Sequence, residues 1–569
     1  MALRDEIRAQ LTGPGGPFEL TEETVLGERM RVFRTRHRSL RELLMESAIH
    51  GEKEYIVHGE RRISYAEHVR RVASVARALA ERFDVRPGDR VGIAAANRAE
   101  WVIAFWAATS LGAIVVAYNG LWTADELLYG IEHAAPKLLI GDRRRLSRLA
   151  RHELPVATLE FESEFAALEG HAPDAPLPDQ PIDEDDPCLI LYTSGTTGRP
   201  KGAVVSHRAL VGFVKTQTLH GLERVLVALR EAGGAPKDAP PPLPPVSLVT
   251  VPLFHLSGLY AAAIMMLAQG AKTVYRDARF DPEDVMRLIE KEKVTIWSAL
   301  GSAPHQLLAH PSFGKYDLSS LRNVGFGGAP TSPDLQRRIS EALPQVRGNL
   351  GMGYGLSESG GLGAVIGGKE LEQRPTSTGR AAVGHEIAIF DEAGRPVPTG
   401  ETGEIHIRSP YLMLGYWNDP AATAKAIRPG RWLATGDVGR LDEEGYLYID
   451  SRARDMILRS GENVYPVEIE NRLDEHPSVA ECAVVGAEHE VLGQEVKAIV
   501  VPAAGARVDA PADERAFVAE LGAFVAEKLA GYKVPTLWEI RREPLPRNAA
   551  GKVLKNVLTG QSALRQVDE

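Results

Sequence analysis

The stretch that decides the fold is Tyr192-Thr193-Ser194-Gly195-Thr196-Thr197-Gly198-Arg199-Pro200-Lys201-Gly202. It follows an apolar segment, Cys188 to Leu191, and consists mainly of hydroxyl residues and glycines with one lysine. Glycines let backbone N–H groups approach an anion closely, hydroxyl groups add hydrogen-bond donors or a metal ligand, and Lys201 supplies a positive charge. The stretch therefore predicts a loop that binds a triphosphate directly after a buried strand.

The loop differs from the Walker pattern, in which Gly-Lys-Ser/Thr opens a helix, because Pro200 precedes Lys201 and Gly202 follows it. A solvated Gly/Thr turn is the alternative for a short loop of this composition. The order of the whole run instead resembles the signature of the adenylate-forming superfamily, which includes acyl-CoA synthetases, carrier-loading adenylation domains and firefly luciferase. This resemblance implies ATP contacts from Thr193, Ser194, Gly195, Thr196, Thr197, Gly198 and Lys201, with a catalytic charge on Lys201.

The composition is that of a large globular protein with several structural units, since 44% of its 569 residues are hydrophobic. The net charge of −10 disfavours nucleic acid as a partner. Cys188 and Cys482 belong to no metal-ligand or redox spacing, which fits a reducing cytoplasm. Met1 to Gln10 contains no apolar signal segment, and the longest mostly apolar run, Leu256 to Ala268, is shorter than the ~18 residues that span a bilayer. We expect neither secretion nor membrane spanning.

The first part of the chain alternates short apolar runs with helical patterns, which predicts an α/β fold with stacked, largely parallel sheets. The predicted strands are Arg90–Ala95, Ala113–Ala117, Lys137–Ile140, Cys188–Leu191, Leu248–Val251, Ala271–Tyr275 and Val294–Trp297. Asp281-Pro282-Glu283 predicts a helix start, because it combines a cap, a proline at the first helical position and an acidic first turn.

Beyond Ser451 the pattern restarts on a smaller scale. Strands are predicted around Val479–Val485 and Val496–Val501, and a helix around Glu514–Leu529. We therefore predict a large domain over residues 1–453 and a small, mobile α+β domain over residues 454–569. The proline-rich segment 235–245 predicts a surface polyproline II excursion, either a plain insertion or a contact with a partner or membrane.

Further motifs of the superfamily occur in the family's order and imply a nucleotide site. Gly327-Gly328-Ala329-Pro330 resembles the loop that lies against adenine, and Gly353-Tyr354-Gly355-Leu356-Ser357-Glu358 resembles the aromatic-then-acid motif. By this resemblance Tyr354 stacks on adenine, Ser357 contacts the nucleotide, and Glu358 together with Thr193 ligates the Mg²⁺ that bridges the phosphates. Taken alone, the first motif is a turn and Glu358 is a solvated carboxylate.

The resemblance continues with Thr435-Gly436-Asp437, whose carboxylate accepts the ribose hydroxyls, and with Arg452 as a matching nucleotide contact. The family pattern usually has Gly before that arginine, where this chain has Ser451. Arg454 coincides with the hinge between the domains, a position that is commonly Asp or Lys in relatives. An exposed linker charge is the alternative for Arg454.

The family's final motif is resembled by Leu545-Pro546-Arg547-Asn548-Ala549-Ala550-Gly551-Lys552-Val553-Leu554-Lys555, which makes Lys552 the expected catalytic lysine. Its ammonium would stabilise the negative charge that builds up as pyrophosphate leaves. By the same resemblance Asn463 contacts the nucleotide, and rotation of the small domain replaces Lys552 with the loop at Ser460 and Gly461, past which the pantetheine arm of CoA runs.

Pro252-Leu253-Phe254-His255-Leu256-Ser257-Gly258 resembles the segment that borders the acyl pocket, with His255 as a gate or catalytic residue. Outside this motif His255 would be read as a core histidine. The segment lacks the aspartate that pairs the ammonium of amino acid substrates. Small residues at Ser302, Gly360 and Gly361 leave room for a bulky or long acid. Fatty, aryl, and alicyclic or steroid-like acids all remain open.

These features predict an enzyme that couples a small-molecule carboxylic acid to CoA through an acyl-adenylate, using ATP and Mg²⁺. A free-standing enzyme that loads a carrier protein is the alternative. A nucleotide-binding protein without catalysis is disfavoured by the retained Lys201, Glu358, Asp437 and Lys552. Luciferase-type oxidation is not excluded by the motifs. We expect a cytoplasmic enzyme, and a homodimer is an open possibility.

Overall fold

The computed structural model describes residues 3–193, 200–234, 243–276, 280–299, 303–327, 331–452, 455–459, 462–489, 492–508, 510–548 and 551–560. Within them, the strands of a seven-stranded sheet are, in spatial order, Gly415–Tyr416, Lys201–Ser206, Pro187–Thr193, Ile114–Ala117, Arg90–Ala94, Leu138–Gly141 and Ala157–Glu160. The five strands from Pro187–Thr193 to Ala157–Glu160 are parallel, and the other two are antiparallel. The predicted strands of this region are thereby confirmed to within one or two residues.

A larger sheet has fourteen strands. Thirteen are, in spatial order, Glu386–Phe390, Gly403–Arg408, Trp432–Leu441, Tyr446–Arg452, Gly379–Ala381, Ala364–Gly367, Leu350–Tyr354, Asn323–Gly327, Ile296–Ser298, Val246–Val249, Lys272–Tyr275, Glu54–His58 and Arg61–Ser64; Ile427–Arg428 pairs with Trp432–Leu441. The strands from Leu350–Tyr354 to Glu54–His58 are parallel, and the others are antiparallel. The larger sheet is thus mixed: its parallel strands include those that the sequence predicts, and an antiparallel extension adjoins them.

The C-terminal part of the chain forms its own five-stranded sheet, with strands Glu462–Val464, Ile457–Arg459, Gly493–Pro502 and Val479–His489, and Leu537–Ile540 beside Gly493–Pro502. The helices Pro466–Asp474 and Pro511–Ala526 pack on it around one hydrophobic cluster. The predicted helix therefore begins and ends about one turn earlier than expected. A separate two-stranded sheet joins Leu20–Val25 to Glu28–Phe33.

The remaining helices belong to the large unit, except Lys555–Leu558, which packs against the small sheet through Leu558. They are Leu3–Thr12, Leu40–Ser47, Tyr65–Arg82, Ala99–Ser110, Ala124–Ala134, Arg143–Ser147, Phe165–Glu169, His207–Glu231, Leu256–Gly258, Leu259–Met265, Met266–Ala268, Pro282–Glu292, Ala303–Ala309, Pro333–Ala342, Lys369–Gln373, Pro420–Ala426 and Lys555–Leu558. Short 3₁₀ turns occupy Ala48–His50, Pro344–Val346, Ser357–Ser359, Pro429–Arg431 and Gly531–Lys533.

The predicted helix start at Asp281 is confirmed. The Asp281 carboxylate accepts hydrogen bonds from the backbone N–H groups of Glu283 and Asp284, and Pro282 stands at the first helical position. These contacts satisfy backbone donors that a helix N-terminus otherwise leaves unpaired. The helix therefore begins where the sequence indicates.

The core lies between the two large sheets. The helix Ala99–Ser110 is buried on all sides, including Trp101 and Trp106, as expected for a helix without a polar face. It belongs to one hydrophobic cluster with Val91 and Ile93 of the first sheet and with Ile56 of the second. The sheets are therefore stacked with helices between them, as predicted.

The apolar run from Leu256 to Ala268 forms a short, partly π-helical segment inside this core. No helix among the described residues combines the length and apolar composition that a bilayer crossing requires. Most of the proline-rich segment lies outside the described residues, and the helix His207–Glu231 ends shortly before it.

The small C-terminal unit contacts the large one beside the helix Pro333–Ala342. The Ser332 hydroxyl, which caps that helix, also donates a hydrogen bond to Asp474 at the end of the helix Pro466–Asp474. Gly327 and Gly353, at the carboxyl ends of their parallel strands, line one cleft together with Val485 and Gly486 of the small sheet. Ligands bind at this edge of open α/β sheets.

Candidate active site

A cleft of about 1460 Å³ opens between the large and small units. It is larger than the ~300–1,000 Å³ of a pocket for one drug-sized ligand. Residues from most of the predicted motifs line it: Thr193, Lys201, His255, Gly327, Gly353, Ser357, Glu358, Gly361, Arg452 and Lys552. The fold therefore gathers side chains that lie hundreds of residues apart in the sequence into one space, with room for more than one small molecule.

The ends of the glycine-rich loop meet because the flanking strands are antiparallel. Thr193 ends one strand, Lys201 begins the next, and the two residues are register partners. The Thr193 hydroxyl donates to Oε1 of Glu358 at 3.2 Å, and the Tyr416 hydroxyl donates to the same oxygen at 2.9 Å. The Lys201 Nζ lies 5.1 Å from the centre of the Tyr416 ring. The loop thus ends beside a carboxylate on the 3₁₀ turn Ser357–Ser359, which follows a strand of the larger sheet.

This arrangement fits a magnesium ion bound together with phosphates. Mg²⁺ is usually held by one or two carboxylates, with substrate phosphates and water completing its shell. Glu358 and the Thr193 hydroxyl supply such a partial set, and the described residues contain no cluster of three or more His, Cys, Asp or Glu side chains that would form a complete protein cage. Glu358 also keeps the Tyr416 hydroxyl protonated, since burial and that carboxylate raise the pKa of Tyr416.

Tyr354, Asp437 and Arg452 form a second polar group beside the cleft. The Tyr354 hydroxyl donates to Oδ2 of Asp437 at 2.8 Å, and Arg452 Nε lies 3.3 Å from Oδ1. Asp437 and Arg452 are partners on neighbouring antiparallel strands, so the sheet register alone brings them together. Burial and the Asp437 charge raise the pKa of Tyr354 well above its usual value. The carboxylate is thus held in place by two partners on opposite sides.

Lys552 extends into the same cleft from the small unit. It closes a tight turn in which its backbone N–H donates to Oδ1 of Asn548 at 2.9 Å and its carbonyl accepts from the Asn548 N–H at 2.8 Å. Arg547 anchors the turn to the small sheet through Glu481 at 2.8 Å. These hydrogen bonds and the Arg547–Glu481 ion pair therefore fix the backbone that carries Lys552.

Several predicted site residues lie outside the described part of the chain: Ser194, Gly195, Thr196, Thr197, Gly198, Ser302, Gly328, Ala329, Arg454, Ser460 and Gly461. Asn463 is described but does not line the cleft. It lies exposed on the strand Glu462–Val464, on the small sheet, where its side chain bonds Tyr465. The structure therefore does not bring Asn463 to the predicted nucleotide site.

His255 lies on the cleft wall at the start of the helical turn Leu256–Gly258. Its Nε2 is buried and makes no hydrogen bond to any described residue. Burial lowers the pKa of His255 to about 4. The imidazole is therefore neutral at pH 7, and its free ring nitrogen is available to one polar atom of a bound molecule.

We expect that His255 contributes no ionisation to the activity profile between roughly pH 6 and pH 8.5, because its charged form is populated only near and below pH 4. Activity measured against pH for the native enzyme and for His255→Asn should give curves of the same shape over that range, at different heights. An inflection near pH 6.5 that the variant abolishes would contradict the neutral assignment.

Gly360 and Gly361 differ in their surroundings, although both adopt positive φ, +70° and +88°. A Cβ on Gly360 would lie 2.1 Å from the Tyr411 carbonyl oxygen, so this residue faces protein and does not line the cleft. A Cβ on Gly361 would lie 2.8 Å from the Tyr260 ring. Gly361 therefore borders the cleft, whereas Gly360 packs against the Tyr411 backbone.

We expect Gly360→Ala to lower the free energy of unfolding by about 2–4 kcal/mol, the sum of the left-handed backbone cost and the displacement of a packed carbonyl. Gly394→Ala is a matched control, because Gly394 has φ +75° with no atom within 4 Å of its Cβ position. The control should lose only about 1 kcal/mol. The free energy of unfolding of both variants should be measured in urea. Equal losses would mean that the Tyr411 carbonyl moves aside at little cost.

The sequence reasoning missed Tyr416, which bonds Glu358 and underlies Lys201. Nothing in its neighbourhood marks it, because Gly415–Tyr416 is a two-residue strand whose place is set by pairing with Ala203 and Val204. It also missed Thr435, whose hydroxyl accepts from the Asp437 N–H at 3.1 Å and so orients the carboxylate. That threonine belongs to a quoted motif, so its position did carry a signal.

The chain matches the family described as AMP-binding enzyme over residues 45–417 and that family's C-terminal domain over residues 468–552. It is 35% identical over 505 residues to the feruloyl-CoA synthase of Amycolatopsis sp, covering 88% of this chain and 94% of that protein. It is 30% identical over 537 residues to the fatty acid–[acyl-carrier-protein] ligase ScoC of Streptomyces coeruleorubidus, covering 92% and 97%. Among solved structures, ATP-bound MatB from Rhodopseudomonas palustris is similar with a TM-score of 0.78 at 29% identity, covering 92% and 98%.

Proposed function

Because the chain belongs to the AMP-binding enzyme family, we propose that it is an AMP-forming acyl-CoA synthetase for a bulky or medium- to long-chain carboxylic acid. The observation that carries the proposal is the shared cleft, in which Glu358 and Thr193 lie on one side and Lys552 enters from the small unit. Relatives that are named as CoA ligases support this activity. The domain division at residues 453 and 454 is part of the same proposal.

In the first half-reaction, a carboxylate oxygen of the acid attacks the α-phosphorus of ATP and the bond to pyrophosphate breaks. Glu358 and the Thr193 hydroxyl would hold a Mg²⁺ ion, which would supply positive charge to the phosphates. Lys201 and Lys552 stabilise the negative charge that develops on the transferring oxygens. Asp437 accepts hydrogen bonds from the ribose hydroxyls, and the buried contacts of Tyr354 and Arg452 keep its carboxylate oriented.

In the second half-reaction, the CoA sulfur attacks the acyl carbon of the adenylate, a thioester forms and AMP leaves. Lys552 faces the cleft in this structure, which supports its use in the first step. We propose that rotation about Arg454 then exchanges Lys552 for the loop at Ser460 and Gly461. A switch of this kind is consistent with a polar contact such as Ser332 to Asp474 between the two units.

Transfer to a carrier protein is the second candidate, because one relative is named a fatty acid–[acyl-carrier-protein] ligase. Both candidates share the adenylation step and differ only in the acceptor thiol. A cytoplasmic location is part of the proposal, and it is supported by Cys188 and Cys482 being free cysteines.

The test is a pyrophosphate-release screen over a panel of fatty, aryl and alicyclic acids, followed by product analysis with CoA and with a phosphopantetheinylated carrier protein. We expect acid-dependent pyrophosphate release and a CoA thioester. Thioester formed only on the carrier would support the second candidate. The absence of acid-dependent pyrophosphate release across the panel would overturn both.

A further inference from the structure

One face of the helix His207–Glu231 lines the acyl side of the cleft. Phe213, Gln217, Gly221 and Arg224 all line the cleft and recur at the spacing of one helical face. Phe213 packs against Tyr260, with ring centres 5.3 Å apart, and Tyr260 in turn contacts the position of Gly361. From that apolar end the face becomes polar and then cationic at Arg224, about 16 Å along the helix axis.

The opposite wall of the cleft is a flat patch of backbone. Gly325 is the register partner of Gly351, and Gly327 is the partner of Gly353, on adjacent parallel strands. A Cβ at Gly325 or Gly353 would meet no atom within 4 Å, so these positions face open space. Side chains of the alternating residues point to the other side of the sheet. A rigid, planar body can therefore lie on this patch without displacing any side chain.

Arg224 closes the far end of the patch. A Cβ on Gly367 would lie 2.8 Å from its Nη1, and one on Gly351 would lie 3.7 Å away. Within the part of the chain that the structure describes, its guanidinium makes no hydrogen bond or ion pair, although the residue is accessible from the cleft. The nearest acid, Glu223, is already paired with Arg4 at 3.1 Å, Arg8 at 2.9 Å and His220 at 3.1 Å.

His220 adds no second positive charge here. Burial lowers the pKa of His220, and its Nδ1 lies near Glu223 while its Nε2 accepts from the Val383 N–H at 3.4 Å. Burial and the Arg4 charge lower the pKa of Arg224, and the Glu223 charge, which Arg4, Arg8 and His220 share, opposes this shift only in part. Arginine nonetheless stays charged in proteins, so a cation without a carboxylate partner of its own among the described residues stands at this end of the cleft.

We propose that the substrate is a flat dicarboxylic acid, whose reacting carboxylate lies beside Lys552 and whose second carboxylate pairs with Arg224. This inference rests on the proposed function and names the substrate class of the same site. The body between the two carboxylates would lie on the glycine patch, where the open positions of Gly325 and Gly353 leave room for a flat ring system.

The alternative occupant, a purely apolar chain, is unfavourable at this end. It would displace water from Arg224 without providing an acceptor, and the removal of water from an unpaired charge is costly. A carboxylate instead accepts two parallel N–H donors from one guanidinium, which gives both affinity and orientation.

The test compares Arg224→Gln with Arg230→Gln, a control on the same helix whose arginine pairs with Glu6 at the surface. Three acids with one ring system serve as probes: naphthalene-2,6-dicarboxylate, its monomethyl ester and naphthalene-2-carboxylate. In the native enzyme, kcat/KM for pyrophosphate release should be at least ~10-fold higher with the dicarboxylate than with either neutral-ended acid. Arg224→Gln should lower the dicarboxylate value ~10²-fold and leave the others within about threefold, and Arg230→Gln should change none.

Two results would overturn the proposal: equal kcat/KM for the dicarboxylate and its methyl ester in the native enzyme, or an equal loss for all three acids in Arg224→Gln. Binding of each acid without ATP, measured by thermal shift, separates this inference from the adenylation mechanism. Arg224-dependent binding of the dicarboxylate without pyrophosphate release would contradict the proposed function and support the distal site. Pyrophosphate release at the same rate with the dicarboxylate and with the neutral-ended acids would support the proposed function and contradict the distal site.

Discussion

Glu358→Ala is expected to lower pyrophosphate release by at least ~10²-fold, the scale for losing an electrostatic stabiliser of a transferring group. The carboxylate accepts hydrogen bonds from Thr193 at 3.2 Å and Tyr416 at 2.9 Å, and it is the acidic group beside the end of the glycine-rich loop. Its removal takes away the proposed Mg²⁺ ligand and also leaves two hydroxyl groups without their acceptor. The measurement is acid-dependent pyrophosphate release at saturating ATP, repeated across a range of Mg²⁺ concentrations.

Glu392→Ala is the matched control, because Glu392 is an exposed glutamate in a surface turn of the large unit. It should retain native activity. If a folded Glu358→Ala enzyme also retains near-native activity at every Mg²⁺ concentration, Glu358 is not the metal ligand. Tyr416→Phe gives an independent check, since it removes one hydrogen bond to Glu358 while the charge is retained.

Lys552→Ala should lower the rate of adenylation by ~10²-fold or more. The variant should still convert supplied acyl-adenylate and CoA to thioester. The reason is that Lys552 belongs to the small unit and is needed only while charge builds up during pyrophosphate release. Lys528→Ala is a suitable control, since Lys528 is an exposed lysine of the same unit that pairs with Glu475 at 3.1 Å. Both half-reactions should be measured separately on each purified variant.

Arg454→Pro is the complementary change, because proline fixes φ and should hinder rotation of the small unit. Adenylation should survive while thioester formation falls. Circular dichroism of each variant controls for folding. Equal damage to both half-reactions in both variants would refute the exchange of Lys552 for the Ser460 and Gly461 loop.

Much of the fold was predictable because its signals are local. Buried parallel strands are continuous apolar runs, so Arg90–Ala94, Ile114–Ala117 and Leu138–Gly141 were located to within a residue or two. The helix after Asp281 was predictable because the capping residue and the proline that starts the helix are adjacent in the sequence. The antiparallel end of the larger sheet was not, since strand direction depends on how distant segments pair.

The candidate site divides in the same way. The motifs indicated Thr193, Glu358, Asp437 and Arg452, and the structure brings them to one cleft or its wall. Their roles in binding ATP and Mg²⁺ remain predictions. The motifs also indicated Asn463, which lies exposed and away from the cleft. A motif identifies residue types and their order, whereas the orientation of the small unit decides which of its residues reach the site.

By itself, the sequence determined the family, the α/β class of the large unit and the chemistry of the nucleotide motifs. The reason is that the backbone freedom of glycines, the hydrogen bonding of hydroxyls and the sign of charges are properties of the residues themselves and of their order. Only the tertiary structure distinguished Gly360 from Gly361, placed Tyr416 under Lys201, and aligned Arg224 with the glycine patch of Gly325 and Gly351. These features depend on sheet register and helix packing between segments far apart in the chain. Such contacts form only when the whole core closes, so no local pattern encodes them.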